Sequence, residues 1–130
     1  MRAAAPTRPV LVKLAPDLEP AVRDSLLDAA VGAGAAGVIG SNSTTGRDGL
    51  RSPAAVEAGG VSGRPLRERA LEIAAELGVA AGDRVVIGSG GIGSGADARA
   101  MLDAGADLVP LWTGMIYAGP GLIGEAVAAC

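Results

Sequence analysis

The 130-residue chain is 49% hydrophobic and 19% charged, enough apolar content for one compact core and far from disordered composition. A net charge of -3 and only 2% aromatic residues supply neither phosphate-backbone attraction nor base stacking, so nucleic acid is not an expected partner. Histidine is absent and Cys130 is the only cysteine, which excludes Ser-His and Cys-His catalysis, an internal disulfide framework and a Cys/His metal site.

At the N-terminus, Met1 to Pro9 lacks the apolar centre of a signal peptide, and no apolar run reaches the roughly 18 residues of a membrane span. Residues 1–8 read as a linker or truncation tail, and the setting as cytoplasmic. Pro9 to Leu14 is a short apolar run closed by the Ala15-Pro16-Asp17 turn, which predicts a buried strand with Lys13, the only lysine, at its functional end. A helix opening at Glu19-Pro20 follows, with Val22, Leu26, Leu27, Ala30 and Val31 at helical spacing until Gly32 and Gly34.

Ala36 to Ser41 predicts the second strand. Asn42 to Gly63 then carries Gly, Asp, Ser and Pro punctuation and is too long for a passive connection, so a functional loop is expected. Helical period returns from Pro65 to Leu77 through Leu66, Ala70, Ile73, Ala74 and Leu77, with Gly78 as the stop. Val85 to Ile87 is a third strand, Ala96 to Ala104 a helix, Asp107 to Trp112 a fourth strand, and Pro120 to Ala129 a last short helix. Gly34 to Val38 and Gly105 to Val109 repeat one helix-to-strand device.

Strand and helix thus alternate four times, with the near-continuous apolar strands that parallel sheets bury on both faces. Four such units are half of an eight-unit barrel of about 200–250 residues. The expected fold is α/β, the C-terminal half, four βα units, of a (β/α)8 TIM barrel, occupying residues 9–130.

An apolar strand running into Gly88-Ser-Gly-Gly-Ile-Gly93 brings backbone N–H groups toward a phosphate. The spacing Gly88-x-Gly90-x-x-Gly93 also matches a dinucleotide turn, but that turn needs an acidic residue at the end of the next strand. Asp107 has the separation and begins its strand instead. The alternative is the barrel phosphate site built from two successive strand-end loops, here Gly90-Gly91 and Thr113-Gly114.

Six strings, in this order, together resemble the C-terminal half of dihydroorotate dehydrogenase: Val10-Leu-Val-Lys-Leu-Ala-Pro-Asp17, Ser41-Asn-Ser-Thr44, Arg47-Asp-Gly-Leu50, Gly59-Gly-Val-Ser-Gly-Arg-Pro-Leu66, Gly90-Gly-Ile92 and Trp112-Thr-Gly-Met-Ile-Tyr-Ala-Gly-Pro120. Arg64-Pro65 after the Ser-Gly pair is similar to the quinone-linked class. The resemblance implies oxidation of dihydroorotate to orotate in pyrimidine biosynthesis, with FMN as hydride acceptor. It implies FMN contacts at Lys13, Ser41, Gly63, Gly91, Trp112 and Thr113, and substrate contacts at Asn42 and Ser43. Lys13 would stabilise negative charge on the reduced flavin, and Asn42 would meet the imide-like edge of orotate.

The resemblance also implies departures. The family's catalytic serine base belongs to the first half of the barrel, so no residue here inherits it, and quinone would be reached only through an N-terminal region this chain lacks. Trp112 stands where the family has tyrosine. Pro110 lies inside the fourth strand, where it removes a backbone donor. The isolated half is expected to be inactive and to self-associate through its open edges. The alternatives are a non-catalytic half-barrel that holds FMN or another phosphorylated ligand while pairing with itself or with a separate N-terminal half, and, more distantly, another FMN barrel oxidoreductase.

Overall fold

A computed structural model describes residues 8–130, so the segment read as a linker lies almost wholly outside the described residues. Three strands form a parallel sheet in chain order: β1 (Leu11–Leu14), β2 (Gly37–Gly40) and β3 (Val85–Gly88). Helix α1 (Pro20–Gly32) joins β1 to β2, α2 (Arg67–Ala80) joins β2 to β3, and α3 (Gly95–Asp103), α4 (Thr113–Ala118) and α5 (Gly121–Ala129) follow. The register aligns Lys13, Ile39 and Ile87 on one face and Leu14, Gly40 and Gly88 on the other.

The helices cover the second of these faces. Leu14, Val38 and Val86 pack there with Leu27, Ile73, Leu77 and Ala81, while a second apolar cluster joins Leu66, just before α2, and Ala70 and Ala74 of α2 to Ala98, Met101 and Ala126. Glycine closes the gap at both strand ends: a Cβ on Gly40 would meet the side chains of Ile73 and Leu77, and one on Gly88 those of Met101 and Ala106. Gly88 is therefore a packing glycine, whatever the loop after it binds.

The repeated glycine device is a Schellman motif in both places. Gly34 (φ 86°) donates to Val31 O while Ala35 donates to Ala30 O, and Gly105 (φ 117°) donates to Leu102 O while Ala106 donates to Met101 O. Each motif stops its helix and turns a buried alanine into the next sheet segment.

Four expectations change. Asp107 to Trp112 is not a regular strand; it makes a single parallel bridge, Leu108 to Ile87, because Pro110 has no N–H and no further strand lies beyond it among the described residues. Gly78 does not end its helix, which runs on to Ala80; it lets α2 touch the backbone of Gly105. Val22 and Leu26 are exposed, since α1 turns the line Arg23–Leu27 inward and Arg23 pairs with Glu76 of α2. Helix α4, finally, occupies a stretch read as loop.

Candidate functional site

The loops that follow the strand C-terminal ends meet around a cleft of about 470 Å³. Lys13, Ser41, Asn42, Ser43, Gly63, Gly91, Trp112 and Thr113 all line it, so the eight positions singled out in the sequence come together in one place. Ser62, Leu66, Ser89, Gly90, Ile92 and Gly114 complete most of its wall; Gly90 and Gly114 belong to the two strand-end loops expected at a phosphate, whereas Ser62, Ser89 and Ile92 carried no individual role.

Lys13 is placed by the register. It points to the sheet face that the helices leave uncovered, and it is exposed, so its charge needs no buried partner. Beside it a cis peptide joins Gly40 to Ser41, and the Ser41 amide donates to Ser89 O at 2.8 Å, tying the ends of β2 and β3 together. Asn42 N donates to Leu14 O at 2.9 Å, which ties the ends of β1 and β2.

The opposite wall is made of close backbone approaches. Gly63 (φ 74°) precedes a single 3₁₀ turn, Arg64–Leu66, that leads into α2; a Cβ there would press on Thr113 Cγ2 at 2.9 Å. Gly91 (φ 72°) lies against the backbone of Arg67, and a Cβ on Gly114 would overlap Ile92 O. Ser62 Oγ and Thr113 Oγ1 share a hydrogen bond of 2.9 Å across the junction. The starts of α2 and α4 and the Gly90–Gly93 turn are thereby brought to one spot, and helix starts present N–H groups without intrahelical partners. Trp112 lines the cleft at its open side and is 82% exposed.

Two carboxylates brace this arrangement. Asp97 accepts from Gly93 N at 3.1 Å, from Ser94 Oγ at 2.9 Å and from Arg67 Nε at 2.5 Å, locking the glycine turn to α2. Burial works to raise the Asp97 carboxyl, but the hydrogen bonds from Ser94, Gly93 and Arg67 outweigh it and hold it below its ordinary value. Asp17 accepts from Thr44 and Thr45, and those bonds, Thr44's above all, hold it below its ordinary value as well. Neither residue is marked by local periodicity; for Asp17 the available signals were an acidic residue after a strand-end proline and a Thr-Thr pair after the next strand, and for Asp97 the Ser94-x-x-Asp97 spacing of a helix N-cap.

Asp107 makes the opposite case. Its carboxylate accepts from Val86 N at 2.8 Å, beneath the N-terminal half of β3 and away from the cleft, so the dinucleotide reading fails on position. No group of His, Cys, Asp and Glu among the described residues is arranged to hold a metal ion.

A family model described as dihydroorotate dehydrogenase matches residues 1–127. The dihydroorotate dehydrogenase (quinone) of Anaeromyxobacter dehalogenans strain 2CP-C is 47% identical over 123 residues, 93% of this chain and 34% of that protein. The Deinococcus radiodurans protein of the same name is 48% identical over 90% of this chain and 32% of its own length. Among solved structures, ligand-free DHODH from Eimeria tenella superposes with a TM-score of 0.87 at 37% identity, covering 94% of this chain and 35% of that one. The chain spans about a third of the length of the relatives it matches, and corresponds to part of their barrel.

Proposed function

The chain belongs to the dihydroorotate dehydrogenase family, and from that membership we propose that residues 9–130 form the FMN-holding part of a quinone-dependent enzyme that oxidises dihydroorotate to orotate in pyrimidine biosynthesis. The observation that carries the reading is that all eight positions line one cleft. Its volume of about 470 Å³ is within the usual span of small-molecule sites, roughly 300–1,000 Å³.

The donor set fits FMN. Lys13 stands in the edge strand β1, and Thr113 starts α4 after the segment bridged to β3, so the two come from opposite sides of the sheet. A cation at one end and converging helix starts at the other suit a ligand with a charge-accepting ring and a terminal phosphate. Gly63, Gly91 and the Trp112–Thr113 backbone hold the phosphate, Lys13 and Ser41 the ring side, and Asn42 and Ser43 face the substrate. Bound FMN supplies the hydride-accepting chemistry, and no residue of this chain is assigned as the base for the substrate's proton. Quinone access and membrane association are assigned to no residue of this segment; no helix among the described residues is long and apolar enough to cross a membrane.

A second reading, a non-catalytic half-barrel that pairs with itself, draws on Leu108, Trp112, Ile116, Tyr117 and Val127, large apolar side chains that are all more than half exposed. Gel filtration with added FMN tests both readings. Flavin absorbance travelling with the protein peak is expected; flavin eluting only in the small-molecule volume overturns the FMN reading, and a peak at twice the monomer mass supports pairing.

A further inference from the structure

We propose that Asp17 is a positioning residue of the site: by holding Thr44 and Thr45, its carboxylate sets where Ser41 to Ser43 and, across the loop, Gly63 stand at the cleft. The proposal rests on the FMN reading above for what the cleft binds. Asp17 does not line the cleft, so any effect on a ligand must pass through the loop it holds.

The carboxylate takes three donors: Thr44 Oγ1, Thr45 N at 2.7 Å and Thr45 Oγ1 at 2.9 Å. Its own position is anchored from beneath. Pro16 is fully buried, and Arg69 Nε of α2 donates to Pro16 O at 3.1 Å. Thr44 Oγ1 also accepts from Gly46 N at 2.9 Å, so its proton is committed to Asp17. One step back along the chain are Asn42 and Ser43, with Asn42 N already bound to Leu14 O.

The hold reaches the far end of the loop too. Thr44 and Val61 form an antiparallel bridge, N to O at 3.0 and 2.8 Å, which places Ser62 and Gly63 relative to the same latch. Between them Arg47 spans the loop, donating to Thr45 O, Gly46 O, Glu57 O and Gly59 O. An ionised carboxylate only accepts and can serve all three donors, whereas an amide would turn an N–H toward one of them. Charge is therefore part of the device, and Asp17→Asn is the discriminating substitution.

The experiment measures amide hydrogen exchange and the affinities for riboflavin and FMN in the wild-type chain, Asp17→Asn and Asp97→Ala. Asp17→Asn is expected to speed exchange about tenfold at residues 42–46 and 61–63, and to weaken riboflavin and FMN each by at least about tenfold, as for one lost charge-assisted hydrogen bond. Asp97→Ala, which loosens the glycine turn, is expected to weaken FMN and leave riboflavin nearly unchanged. A merely structural Asp17 would lower the melting temperature without altering either affinity in the folded fraction.

Unchanged exchange in the loop overturns the latch, and faster exchange with unaltered flavin affinity overturns the positioning role. A wild-type chain that takes up neither flavin overturns the FMN reading, while the exchange result still decides the latch. Thr45→Val, which removes one donor and keeps the carboxylate, serves if Asp17→Asn does not fold; it is expected to move exchange in the same direction by a smaller factor.

Discussion

The two walls of the cleft are built on different principles. On the glycine wall, backbone is packed against backbone, Gly91 on Arg67 and Gly114 on Ile92, with the apolar cluster of α2 and α3 behind it. On the loop wall, a 22-residue segment with one 3₁₀ turn is held by polar latches, Asp17 on Thr44 and Thr45 and Arg47 on four carbonyls. Steric walls fail all at once when an atom is added, whereas latched walls loosen by degrees as donors are removed. Under the proposed function, the division gives the site an anchored phosphate end and an adjustable substrate end.

Substitutions that break the comparison should differ in size accordingly. Gly91→Val has the largest expected effect, because φ of 72° disfavours any side chain and the added carbon overlaps the Arg67 backbone; strain and overpacking should cost about 3–5 kcal/mol in urea unfolding. Next is Leu77→Ala, which opens a cavity where α2 meets Gly40; chemical denaturation should show a loss of about 2–5 kcal/mol. Asp97→Ala should cost about 1–3 kcal/mol, since Gly93 and Ser94 lose their acceptor and Arg67 its partner.

Acid sharpens the comparison, because one carboxylate braces each wall. Both Asp17 and Asp97 sit below the ordinary carboxyl value of 3.8 in the folded chain. The stability they contribute is complete above that value and is lost as the pH falls through their folded values. Melting curves between pH 7 and pH 3 should fall most steeply below about 4, and the Asp17→Asn, Asp97→Asn double variant should flatten that drop. At the small end, Val56→Ser at the loop tip, 90% exposed, should change stability by less than about 0.5 kcal/mol.

The buried face of helix α2 was readable from its spacing, though not its end: Ala70, Ile73, Ala74 and Leu77, and Leu66 just before the helix, are all buried. The same reasoning applied to α1 found Leu27 and missed Arg23, because periodicity tells which residues share a face but not what covers that face. Helix α1 packs on the edge strand, and its inward line includes an arginine whose stem is apolar and whose head reaches Glu76. The strand over Asp107 to Trp112 was misjudged for a related reason, since a strand needs partners and Pro110 refuses one.

The cleft itself was legible wherever its residues follow strand ends, since a parallel sheet puts all such ends on one side. What escaped was the bracing. Asp17 meets Thr44 and Thr45 across 27 and 28 positions, and Ser62 meets Thr113 across 51; no local pattern records such contacts. Helix α4 escaped because its six residues include Gly114, stop at Gly119 and bury no side chain.

The central claim is that the glycine wall of this chain grips a flavin phosphate, and the ratio of FMN to riboflavin affinity, measured by fluorescence titration, tests it most directly. The account predicts that FMN binds at least about tenfold more tightly than riboflavin, one charge-assisted contact's worth, and that Asp97→Ala removes most of that advantage. Equal affinity for the two flavins in the folded wild-type chain would contradict it.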